Sequence, residues 1–143
     1  MKSKPLSRIQ SGVMLLEALI AILIFAIGIL GIVGLQATAI KQSTDAQFRS
    51  DAGLLTSQLL GDMWLSDRST ANLQTEFATN QTIGSRYDAW KKTVLTTLPK
   101  AAQYPPVVAV SNDGVVTITV RWLAPNEPAN SQPHQLVTVA QVR

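Results

Sequence analysis

The sequence predicts an α+β protein: one long amino-terminal helix, half transmembrane and half amphipathic, packed on a small antiparallel β-sheet. Three observations carry this. Residues 13–35 form a continuous apolar run, and helical spacing persists beyond it with no proline from residue 13 to 66. Past residue 106 the hydrophobic period changes from helical to two, in β-branched runs separated by turn residues.

Length and composition bound the rest. A chain of 143 residues leaves room for one modest core. It has no cysteine, which excludes a disulfide framework, a thiolate nucleophile and a Cys-based zinc site, and it has one histidine, His134. The formal charge of +3 suggests an anionic partner until its placement is considered. Lys2, Lys4 and Arg8 lie in the first 12 residues with no acid beside them, and the remainder carries nine basic against nine acidic side chains. The basicity belongs to a leader.

The first element is the run VMLLEALIAILIFAIGILGIVGL, 23 residues from Val13 to Leu35 interrupted by a single charge, Glu17. As a helix it spans about 34 Å, enough to cross the hydrocarbon core of a bilayer. The basic leader predicts that the amino terminus stays cytoplasmic and the carboxy-terminal part lies outside the cytoplasmic membrane. A cleaved secretory signal is the competing reading, with Ala37-Thr38-Ala39 as the cleavage site and a chain starting at Ile40. The run exceeds a usual signal core, carries an acid near its start, and continues into amphipathic spacing. Gly28, Gly31 and Gly34 recur at intervals of three and predict close helix packing or local flexibility.

Glu17 sets this helix apart from a plain anchor. A carboxylate in a transmembrane segment costs about 2.5–3.5 kcal/mol and calls for a partner, unless it snorkels to the interface. It also stands in a pattern: Arg8-Ile9-Gln10-Ser11-Gly12, then Val13-Met14-Leu15-Leu16-Glu17. A short basic leader, a Gly, an apolar run and a Glu five residues after that Gly together resemble the class III leader of type IV prepilins and type II secretion pseudopilins. The resemblance implies cleavage by a membrane-embedded prepilin peptidase between Gly12 and Val13 and N-methylation of Val13. It also implies pairing of Glu17 with the amino terminus of an adjoining subunit during assembly. Two features depart from the family: the residue after the cut is Val13 where Phe is usual, and the helix lacks the proline common in major pilins.

The second half of the long helix follows from Ile40, Phe48, Ala52, Leu55, Leu59 and Met63 on one stripe, with Lys41, Asp45, Arg49, Asp51 and Asp62 off it. Residues 67–84 are polar and weakly patterned, and predict a loop. Ser85-Arg86-Tyr87-Asp88 fits a capping box before a short helix over 86–98, with Trp90, Val94, Leu95 and Leu98 on one face and Pro99 ending it. Strands are predicted near 107–110, 115–122 and 136–142, the first two joined by Ser111-Asn112-Asp113-Gly114. In the middle strand Val116, Ile118, Val120 and Trp122 share one face, opposite Thr117, Thr119 and Arg121. The Pro-rich segment 123–134 connects the second strand to the third.

The order of elements resembles minor pilins of the PilV type, through the amino-terminal run, Leu98-Pro99 and Val120-Arg121-Trp122. What that implies is a low-abundance subunit of a type IV pilus that helps prime filament assembly at the tip. Its implied partners are other minor pilins, the major pilin, the inner-membrane assembly platform and the lipid bilayer. A minor pseudopilin of type II secretion is the near alternative, and a membrane-anchored periplasmic binding domain the distant one. No enzyme is expected: Asp62, Asp67, Glu76, Asp88 and Asp113 are scattered, and no nucleophile, phosphate-loop or metalloprotease motif occurs. No cofactor is implied. His134 reads as a solvated loop residue. Lys91, Lys92 and Lys100 near Trp90 form a small basic cluster, but a neutral mature chain gives little attraction for nucleic acid.

Overall fold

A computed structural model describes residues 10–79 and 86–142, with side chains from Gly12 onward. The leader charges Lys2, Lys4 and Arg8, and Ser85 of the capping box, lie outside the described residues. Helix α1 runs from Gln10 to Leu65, 56 residues without a break. The chain divides between Gln42 and Ser43 into two compact units, each described in turn.

In the first unit α1 is apolar all round, and every side chain from Gly12 to Gln42 is exposed. Such a helix has no polar face to offer water, and it is long and apolar enough to cross a membrane. The stripe begins later than its spacing suggests. Ile40 stands 67% exposed, while Phe48 is the first stripe residue packed on the core.

The second unit is α+β. Along α1, Ala52, Leu55, Leu59 and Met63 are buried at helical intervals of three and four. After the helix, Thr70–Phe77 forms α2 where the polar composition predicted a loop. Two apolar residues four apart, Leu73 and Phe77, suffice because both are fully buried in the shared core. Its start is capped locally. The Ser69 hydroxyl accepts from the Asn72 N–H (3.4 Å), and the Asp67 carboxylate accepts from the Ser69 N–H (2.9 Å). Helix α3, Arg86–Thr97, buries Tyr87, Trp90 and Val94. Beyond Pro99, Lys100 adopts a left-handed conformation (φ 54°) and a short 3-10 turn, Ala101–Gln103, follows.

Strands β1 (Val107–Val110), β2 (Val115–Trp122) and β3 (His134–Gln141) form an antiparallel sheet in the order β1-β2-β3. Gly114 closes the β1–β2 turn at φ 75°, a conformation that a side chain disfavours. Val116, Ile118, Val120 and Trp122 point into the core. Each such burial stabilises by roughly 1.5–3 kcal/mol. Strand β3 begins two residues before the predicted start at 136, because His134 pairs with Trp122 across the ladder. The Trp90 indole N–H donates to the Leu55 carbonyl (2.9 Å) and the Tyr87 hydroxyl donates to the Pro106 carbonyl (2.7 Å), tying α3 to α1 and to the entry of β1.

Candidate functional site

The residues singled out by sequence lie on the first stretch of α1. Gly12 sits inside the helix with open space where a Cβ would stand. Val13 follows, 64% exposed. Glu17 lies one turn on, and Val13, Leu16, Glu17 and Ile20 line one shallow apolar depression on the helix surface. Helical spacing of three, four and seven puts them on a single face, so the only charge of the run is framed by aliphatic side chains. Among the described residues Glu17 makes no hydrogen bond or ion pair. Its carboxylate is therefore offered outward, to lipid, water or another molecule. Gly28, Gly31 and Gly34 lie further along, where the helix continues unbroken and a Cβ would meet nothing within 4 Å. One local contact marks this stretch: the Thr38 hydroxyl donates to the Gly34 carbonyl (3.2 Å).

The second unit carries three of its acids at two clefts. Asp62 borders a cleft with Gln58, Arg86, Trp90 and Thr93, and Asp67 and Glu76 border another with Ser66, Asn72 and Arg86. Hydrogen bonds from the Ser69 backbone N–H and hydroxyl hold the Asp67 carboxyl below its ordinary 3.8, and the carboxylate braces Ser69, the N-cap of α2. Among the described residues, no three His, Asp or Glu side chains gather as a metal site.

One expectation changes here. His134 is the first residue of β3, its ring stacked on Trp122 (centroids 5.9 Å, planes 19° apart) with Nε2 3.1 Å from the Glu127 carboxylate. It is a structural residue closing the 123–133 connection. The only sequence hint was an acid seven positions upstream in a Pro-rich loop. Of the basic cluster, Lys91 and Lys92 stay adjacent on α3. Trp90 is buried and committed to Leu55, Lys91 lies over the Tyr87 ring at 5.8 Å, and Lys100 donates to the Glu127 carbonyl (2.9 Å).

No family model matches the chain, and no curated protein or solved structure matches it.

Proposed function

We propose that this chain is a minor pilin of a type IV pilus, with a pilin-like fold, inserted in the bacterial inner membrane and then co-assembled at the filament tip to help prime assembly. The observation that carries the reading is Glu17: one carboxylate on an exposed apolar helix face, five residues after Gly12. Prepilin peptidase cuts after Gly12 and the new terminus, Val13, is methylated. The head is exported to the periplasm while the helix stays in the bilayer as a single pass.

The physical logic is registry. Apolar helices attract one another in a bundle without a strong preference for axial offset, because one aliphatic turn resembles the next. An acid left unpaired in lipid costs about 2.5–3.5 kcal/mol, which is recovered when it meets the Val13 ammonium of an adjoining subunit. That single pairing selects one offset among many. Gly28, Gly31 and Gly34 let a neighbouring helix approach closely or let α1 yield locally. The partners are the other minor pilins, the major pilin and the inner-membrane assembly platform. The same processing and pairing would serve a minor pseudopilin of type II secretion.

The test is the intact mass and amino-terminal residue of the protein recovered from membranes. A chain beginning at Val13, with a methyl on its amine, is the expected result. A soluble chain beginning at Ile40, or one that retains its first 12 residues, overturns the reading.

A further inference from the structure

Among the described residues, two buried side-chain polar atoms have no hydrogen-bond partner: Asp45 Oδ1 on α1 and the Trp122 indole nitrogen at the end of β2. Buried polar groups are satisfied as a rule, because an unmade bond leaves the full desolvation penalty of the group. Both residues belong to the second unit and border one cleft of about 380 Å³, together with Ala46, Arg49, His134 and Gln135. The two atoms are complementary. A carboxylate oxygen accepts, and an indole N–H only donates.

The other groups at the cleft leave this pair to each other. Arg49 carries donors and no acceptor, so it cannot satisfy the indole. The His134 ring is stacked on Trp122 with planes 19° apart, whereas the indole N–H points along its own ring plane. Gln135 alternates to the opposite face of β3 from His134 and is exposed. Water serves neither atom, since both are closed to solvent, and a molecule lodged in the open cleft meets the same obstacle.

The indole is held and the carboxylate is not. His134 Nε2 lies 3.2 and 3.1 Å from the two Glu127 carboxylate oxygens, and the same carboxylate accepts from the Ala124 N–H (3.2 Å). Lys100 Nζ donates to the Glu127 carbonyl (2.9 Å). These contacts keep His134 on Trp122 and fix the ring. Asp45 stands at a partly buried helix position followed by exposed Ala46 and Gln47, and its carboxylate re-aims by rotation about its side-chain torsions.

We propose that Asp45 and Trp122 form a clasp that is open in this conformation and poised to close: the indole N–H donates to the Asp45 carboxylate and ties α1 to the end of β2. Phe48 is the first side chain of the amphipathic stripe to pack on the core. With the clasp closed the sheet holds α1 from Asp45, nearly one turn earlier. With it open, the turn that begins at Asp45 is free to loosen from the sheet. The clasp lies wholly within the second unit, so it stands or falls apart from the pilin reading.

The test is hydrogen exchange by NMR on the full chain in detergent micelles, with the Trp122 indole signal assigned through Trp122→Phe. The Trp122 indole N–H should exchange about tenfold or more faster in Asp45→Ala than in the wild type, and the backbone N–H groups of residues 46–49 should exchange faster too. Helix propensity alone predicts the reverse for those amides, because Ala favours a helix more than Asp does. Asp45→Asn keeps an acceptor oxygen without the charge and should stay close to wild type, which a role limited to charge pairing with Arg49 would not allow. Trp122→Phe should speed the same backbone amides, and the double variant should exchange no faster than the faster single one. The Trp90 indole, bonded to the Leu55 carbonyl, reports in the same spectra that each variant keeps its fold. Equal indole exchange in wild type and Asp45→Ala, slower amide exchange in Asp45→Ala, or Asp45→Asn behaving as Asp45→Ala overturns the proposal. So does an indole N–H whose nuclear Overhauser contact is to a long-lived water and not to the Asp45 Hβ protons.

Discussion

Tyr87 shows how one polar atom sets a condition on stability. The residue is buried, its hydroxyl donating to the Pro106 carbonyl. Burial raises the phenol above its ordinary 10.0, the Thr79 hydroxyl acts the other way, and Asp88 adds a smaller upward push. An acid whose folded value is raised stabilises the fold fully below its unfolded value and loses that contribution as pH rises through the folded one. The Tyr87 contribution to denaturant midpoints should therefore be constant below about pH 10 and fall above it. Tyr87→Phe should cost about 1–2 kcal/mol at neutral pH, from the unpaired Pro106 carbonyl, and should shallow the alkaline fall. An equally steep fall in the variant would place the alkaline weakness elsewhere. At Trp122 the indole nitrogen is buried and has no hydrogen-bond partner among the described residues.

Among the elements, α2 is the one that local sequence hides. Its eight residues include only Leu73 and Phe77 as large apolar side chains, too few to announce a helix in a polar stretch. Tertiary burial of that pair decides the matter, with the Ser69 cap stopping the amino-terminal end from fraying. Ser69→Ala should cost about 1 kcal/mol by loss of the cap. Phe77→Ala should cost about 3–5 kcal/mol, because it opens a cavity against the core. Chemical denaturation measures both, and a Phe77→Ala cost no larger than that of Ser69→Ala would mean that α2 is held by its cap and not by its packing. The β1–β2 hairpin lies at the other extreme. Ser111-Asn112-Asp113-Gly114 between β-branched runs specifies its turn locally, and Gly114 takes the positive φ that the turn requires. Gly114→Ala should cost about 1 kcal/mol in the same assay.

For the whole molecule, the reading as a filament subunit turns on whether one acid does work that insertion alone does not need. Glu17→Ala makes the helix more apolar, so membrane insertion should be normal. Incorporation into filaments should fall by about tenfold or more, since the offset-selecting contact is gone while nonspecific packing remains. Quantifying the protein in sheared filaments against the membrane pool measures this. Wild-type incorporation by the variant would remove Glu17 from assembly. A drop in the membrane pool itself would instead make Glu17 an insertion determinant.

The sequence by itself determined the continuous long helix, its apolar half, the position of Glu17 after Gly12, helix α3 and the three strands, β3 to within two residues. Each rests on relations among residues a few positions apart: hydrophobic period, proline spacing, turn chemistry. Tertiary structure alone decided that a polar stretch becomes α2, that His134 stacks on Trp122, and that the stripe starts to pack at Phe48. It also decided what covers the edge of β1. Thr79 reaches Val108 across 29 positions and Gln74 reaches Val110 across 36. Contacts of that span leave no periodic trace in the sequence, because they exist only once the chain has brought distant segments side by side.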